Sequence, residues 1–150
     1  MLARPTTPSA PGLTRRLAAM FYDGLLLAAL WFSISALLLA ASGGLLASPN
    51  RPLWLLYVLR VSLILVTVLF YTGFWTHGGQ TLGMRAWRLK IINDRGGPVN
   101  WKQALWRFAA AIPSIGVFGL GCLWMLLDRE RRTLHDRLSG TRFVLIAKNP

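Results

Sequence analysis

Hydrophobic residues fall in three long stretches, and the segments between them are polar and rich in arginine. The first stretch, Leu17 to Ala41, has 25 residues and a single charge, Asp23. As a helix it would be about 37 Å long, enough to cross a bilayer with some tilt. The second, Leu53 to Trp75, contains one charge, Arg60. Trp54 stands near one of its ends and Tyr71, Phe74 and Trp75 near the other, as in the aromatic belt of a membrane helix. The third, Phe108 to Leu127, is uncharged and 20 residues long, but Pro113, Gly116, Gly119 and Gly121 interrupt it.

The polar segments predict smaller elements. Residues 1–14 carry Pro, Thr and Ser and read as a disordered tail; 148–150 form a short C-terminal tail. Ser42 to Pro52 is a turn-rich connection. From Thr76 the texture changes: Gly78-Gly79-Gln80-Thr81-Leu82-Gly83-Met84-Arg85 is a loop leading into a short helix or turn. Trp87, Leu89 and Ile91 then alternate with Arg88 and Lys90, which predicts a half-buried strand, with Leu89 to Asn93 as the stretch open to pairing. Asn100 and Gln103 have capping-box spacing, so a helix starts there. Trp101, Leu105, Phe108 and Ile112 share one of its faces. Asp128 to Leu138 is polar and predicted helical, and Arg142 to Ala147 is a second strand candidate able to pair with the first.

Composition fits this pattern. The 150 residues are 54% hydrophobic and only 15% charged, below the roughly 25% of a soluble domain. The net charge of +12 raises nucleic acid as a partner. The basic residues, however, flank apolar stretches and form no single basic domain, so the expected partners are the bilayer and its anionic headgroups. Cys122 is the lone cysteine, which excludes an intrachain disulfide. The first stretch is too long for the core of a secretory signal and contains Asp23, so it reads as a retained helix.

Charge also bears on topology. Arg4, Arg15 and Arg16 precede the first stretch, and the first loop has only Arg51. The second loop carries Arg85, Arg88, Lys90, Arg95, Lys102 and Arg107. The N-terminus and the second loop are therefore expected in the cytoplasm. The tail, with Arg129, Arg131, Arg132, Arg137, Arg142 and Lys148, creates a conflict. If Phe108–Leu127 crosses once, this basic tail lies outside. If it re-enters as a hairpin broken around Pro113 to Gly121, the tail is cytoplasmic and the two strands can meet. Length tips the balance slightly toward one crossing; charge and strand pairing favour the hairpin. The expected fold is thus an all-α membrane protein of two transmembrane helices, a third spanning or re-entrant segment and a small cytoplasmic β element.

Candidate chemistry centres on charge inside apolar surroundings. Such a group costs about 2.5–3.5 kcal/mol at a helix centre on insertion scales. Arg16 and Asp23 lie two turns apart on one helix face, about 10 Å along the axis. Asp23 would sit about 9 Å deep and Arg60 about 22 Å. This mismatch argues against a direct pair and leaves Arg60 to snorkel to the outer face. Arg85, Arg88 and Arg107 are the expected partners of Asp23. Either Asp23 is a clasp that sets helix packing, or it is a protonatable carboxylate in an ion path. Asp136 reads as a cap or salt-bridge partner in a cytoplasmic turn. His77, His135 and Cys122 make no metal set. The glycines of the third stretch lack the Gly-Lys-Ser/Thr of a phosphate loop, and no Ser/His/Asp order suggests hydrolysis. No cofactor and no enzymatic activity are expected.

Three motifs in order carry a family resemblance: Arg15-Arg16-Leu17-Ala18-Ala19 followed by Asp23, then Gly79-Gln80-Thr81-Leu82-Gly83-Met84-Arg85, then Arg132-Thr133-Leu134-His135-Asp136-Arg137-Leu138-Ser139-Gly140-Thr141. Together they resemble the RDD family of small bacterial membrane proteins, whose named arginine and two aspartates match Arg16, Asp23 and Asp136. The resemblance implies one domain over residues 15–147, a multi-pass protein of the inner membrane, and a suspected role in transport. With so few spans, a transport path would need several copies, so a homo-oligomer is expected. The competing reading is a scaffold or accessory protein whose basic cytoplasmic face binds anionic lipid or a protein. Arg60 lies outside the family motifs.

Overall fold

The computed structural model describes residues 11–116, 120–130 and 132–146. Most of the expected N-terminal tail and all of residues 148–150 lie outside that range. Two long helices dominate: α1 (Leu13–Ala41) and α2 (Leu53–Thr76). Both are long and apolar enough to cross a membrane. On α1 the buried residues Arg16, Ala19, Asp23 and Leu27 recur every three or four positions, which is one helix face. Large apolar side chains elsewhere on the two helices, including Phe21, Phe32, Leu37, Leu53 and Ile64, stay exposed. Water would penalise so much apolar surface; a hydrocarbon solvent does not. Trp31 Nε1 donates to Thr67 Oγ1 at 3.0 Å and helps hold the helices together.

The start of α1 and the end of α2 rest on a compact polar layer. It begins with α3 (Leu82–Ala86) and β1 (Leu89–Asn93). Later in the chain come α6 (Leu134–Ser139) and β2 (Thr141–Leu145). The two strands pair antiparallel, Leu89 opposite Leu145 and Asn93 opposite Thr141, so the strand pairing expected from alternation is present. Where layer and helices meet, a core of Ala19, Trp75, Met84, Leu89, Ile91, Val99 and Ala104 is buried.

The third apolar stretch departs from the favoured expectation. It is divided between α4 (Trp101–Gly116) and α5 (Leu120–Leu127), and residues 117–119 lie outside the described range. The 8-residue α5 extends about 12 Å, too short to cross. It packs back on α4: a Cβ at Gly121 would come within 2.6 Å of Ser114 Cβ. Pro113 inside α4 removes one helical hydrogen bond, and the glycines beyond it are poor helix formers. The N-terminus of α4 is as expected, since Gln103 N donates to Asn100 Oδ1 at 2.8 Å. The predicted helix over 128–138 also needs correction, because α6 begins only at Leu134. Asp128 Oδ2 accepts from Arg132 N at 2.8 Å and holds the preceding chain in a turn, a local bond that competes with helix.

Candidate functional site

Two buried carboxylates organise the junction between α1 and the polar layer. Asp23 is 3% exposed. Its Oδ2 accepts from Thr81 Oγ1 at 2.5 Å and its Oδ1 from Gly83 N at 2.9 Å. Thr81 is also the N-cap of α3 and accepts from Met84 N at 3.2 Å. The second motif therefore has a physical reading. Thr81 starts a short helix and donates its hydroxyl hydrogen bond to Asp23. Gly83 brings α3 against α1 so closely that a Cβ there would strike the Ala19 carbonyl and approach Asp23 Oδ1 to 2.9 Å. Gln80 Nε2 donates to Leu89 O at 2.7 Å and ties the loop to β1.

Asp136 is fully buried on α6 and meets two arginines. Arg16 Nη1 reaches its Oδ2 at 3.0 Å, and Arg107 Nη1 pairs with its Oδ1. A capping box sets this geometry: Thr133 N donates to Asp136 Oδ2 at 3.2 Å, and Asp136 N donates back to Thr133 Oγ1 at 3.3 Å. Arg107 also donates to Thr141 Oγ1 at 2.5 Å. Both guanidiniums lie against the Phe143 ring, with Cζ to centroid distances of 4.6 Å for Arg16 and 4.9 Å for Arg107. Burial favours the neutral acid, but Arg107 and Arg16 outweigh it and hold the Asp136 carboxyl below its ordinary value. Beside it, burial and then the Arg107 charge pull the His135 imidazole down to about 4. Its Nδ1 is 3.1 Å from Ser114 Oγ.

Above this cluster lies a cavity of about 400 Å³ bounded by α1, α2, α4 and the layer, with Asp23, Arg16 and Arg107 in its lining. Its size falls in the small-molecule range.

The predicted site residues separate accordingly. Arg16 and Asp136, 120 positions apart, meet directly, and Arg15 is exposed. Asp23 binds neither of them through any hydrogen bond described above. Its partners are a hydroxyl and a backbone N–H, which corrects the expectation of an arginine: Arg85 and Arg88 are exposed, and Arg107 goes to Asp136. Arg85 and Arg60 are not buried charges; both side chains face outward. Sequence reasoning named Thr81, Gly83, Thr133 and Thr141 within the motifs but gave them no role. For Thr133 a signal existed, since Thr-x-x-Asp before an apolar position is capping-box spacing.

Two exposed apolar helices gripping a polar layer through buried charges define a membrane-type helical domain. The RDD family profile matches residues 10–140, and the chain belongs to the RDD family. Among curated proteins it is similar to the uncharacterized protein RP437 of Rickettsia prowazekii (strain Madrid E), with 34% identity over 80 residues, 52% of this chain and 43% of that protein. It is also similar to the uncharacterized protein YxaI of Bacillus subtilis (strain 168), with 34% identity over 84 residues, 55% and 54% of the two chains. The chain thus spans about half the length of the curated relatives it matches. No solved structure matches it.

Proposed function

We propose that this domain is a ligand-binding subunit of a transport assembly in the bacterial inner membrane, with its polar layer in the cytoplasm and two or more copies forming the path. The observation that carries this reading is the cavity of about 400 Å³ beside the buried Arg16–Asp136–Arg107 cluster. Intramembrane and boundary charges of this kind mark solute paths more often than surface charges do. The antiparallel pairing of β1 with β2 supports a re-entrant α4–α5 and a multi-pass topology in which the N-terminal flank, second loop and tail share one side, as the positive-inside rule favours. Catalysis is a poor fit. A Ser114–His135 contact with Asp136 adjacent invites the thought of hydrolysis, but an imidazole at about 4 is a weak base at neutral pH, and Asp136 is committed to two arginines.

The test is flux in sealed vesicles reporting internal pH, after pulses of sodium, potassium or a small carboxylate, alongside the oligomeric state in lipid. Flux by a dimer or larger assembly is expected. A strict monomer without flux sinks the reading.

A scaffold role has its own support. All five acidic residues are engaged: Asp23 by Thr81 and Gly83, Asp136 by Arg16 and Arg107, Asp94 and Glu130 by Arg132, and Asp128 by Arg137. Arg85, Arg88, Arg95 and Arg129 are exposed, and offer cationic groups suited to anionic headgroups. Assembly that survives without flux, and is lost when these arginines become glutamine, supports this second role.

A further inference from the structure

Charged residues border the cavity, yet it is apolar where a ligand would touch it. Asp23 is engaged by Thr81 and Gly83, and Arg16 and Arg107 both contact Asp136. These three lining charges are buried, and the accessible wall is almost wholly apolar. Half-buried Tyr71 of α2, Phe108 and Ala111 of α4 and Phe143 of β2 form its inner part. The Tyr71 and Phe108 rings are neighbours, with centroids 6.2 Å apart. Phe143 lies against both guanidiniums and so marks the end nearest the charged cluster.

Leu17 and Met20 of α1 and Ile112 of α4 also line the cavity, and they are 49%, 41% and 62% exposed. They frame its mouth. Phe21, one turn beyond Leu17, is exposed beside it, on a helix long and apolar enough to cross a membrane. Apolar surface therefore runs without a break from the outside of α1 into the cavity. Water is a poor occupant, because buried water needs several polar partners. An empty space of about 400 Å³ would deprive the wall atoms of dispersion contacts. An engineered apolar cavity of about 150 Å³ already stays dry and takes up benzene, and this one is larger. At a mouth that faces hydrocarbon, lipid chains are the apolar molecules in greatest supply.

We infer that the cavity is an acyl-chain site: one chain of a bilayer lipid enters between α1 and α4 and packs against Phe108 and Phe143, its headgroup staying outside. The wall recognises the chain and is indifferent to headgroup charge. This rests on the reading of the cavity as a ligand site and adds the chemical class of the ligand.

The experiment uses full-length protein in nanodiscs of phosphatidylcholine that carries a diazirine midway along one acyl chain. Adducts formed on irradiation are mapped by mass spectrometry. Ile64, exposed on α2, reports contact with bulk lipid and serves as the reference. Adducts at Phe108 and Phe143 are expected, falling about fivefold or more relative to Ile64 in Ala111→Trp, which fills the cavity. Phosphatidylglycerol with the same labelled chain should give the same ratio. The inference is overturned by absence of adducts at both phenylalanines, or by adducts that survive cavity filling. A ratio that follows the headgroup overturns it too, as does labelling of the inner wall by a free diazirine-bearing alkane but not by the lipid. Should Ala111→Trp fail to fold, Met20→Trp narrows the mouth from α1. Adducts and flux are separate measurements, so loss of adducts with flux intact removes this inference alone, and the reverse removes the transport reading alone.

Discussion

Asp23 and Asp136 are both removed from water, and the chain stabilises them by opposite means. Asp23 is held by a hydroxyl and a backbone N–H, Asp136 by two guanidiniums. Removing them should therefore have different consequences. Asp136→Asn removes the carboxylate that both Arg16 and Arg107 contact in a buried site, and should destabilise the protein by about 3–5 kcal/mol. Asp23→Asn keeps an acceptor for Gly83 N–H, while Thr81 can turn its hydroxyl to accept, so the loss should stay near 1 kcal/mol. Thermal unfolding in detergent checks the order; equal losses would show that the two carboxylates do not differ in this way. The cluster also predicts a pH dependence. His135 is depressed from 6.5 to about 4, so the unfolded chain binds its proton more readily. Its contribution is complete above about pH 6.5 and is lost as pH falls toward 4, an effect on the order of 3 kcal/mol. Asp136, also depressed, adds a loss in the same direction at still lower pH. Unfolding midpoints measured from pH 7.5 to 4 should fall for the native chain and fall less for His135→Gln.

At the level of elements, glycines decide how close neighbours come. Gly83 sets α3 against α1, where its replacement by alanine meets the Ala19 carbonyl and Asp23. Backbone cannot yield there as a flexible side chain would. Gly83→Ala should thus cost about 1–3 kcal/mol and release the Asp23 clasp, read as faster amide exchange over residues 81–86. Gly140 ends α6 with φ +62°, in the left-handed region that only glycine enters without strain, and lets β2 start at once beside β1. The periodicity of Leu89–Asn93 and the capping spacing of Asn100–Gln103 were legible because each depends on residues a few positions apart. The late start of α6 was not, because Asp128 captures the backbone of Arg132 through a bond that competes locally with helix.

For the whole molecule, the decisive feature is the return of α5 along α4, which lets the C-terminal segment reach β1. It predicts a sidedness that labelling can read. With Cys122 replaced by serine, a cysteine at Arg129 should react with a membrane-impermeant maleimide from the same side as one at Arg85. A cysteine at Arg51 should react from the opposite side. Opposite labelling at positions 129 and 85 would mean that residues 108–127 cross the membrane, contrary to the hairpin.

Two long apolar helices, a candidate pair of short strands and the three ordered motifs that hold Arg16, Asp23 and Asp136 were all legible in the sequence. Hydrophobic run length, alternation and motif order are properties of neighbours along the chain. Tertiary structure alone decided the partners. Arg16 meets Asp136 across 120 positions, Asp23 turns to Thr81 and Gly83 instead of an arginine, and Arg107 joins the second cluster. A long side chain in a basic layer can reach several carboxylates. Which one it reaches depends on how closely helices and strands approach, and that is set by a missing Cβ at Gly83, a cap at Thr133 and the packing of α5 against α4 at Gly121 and Ser114.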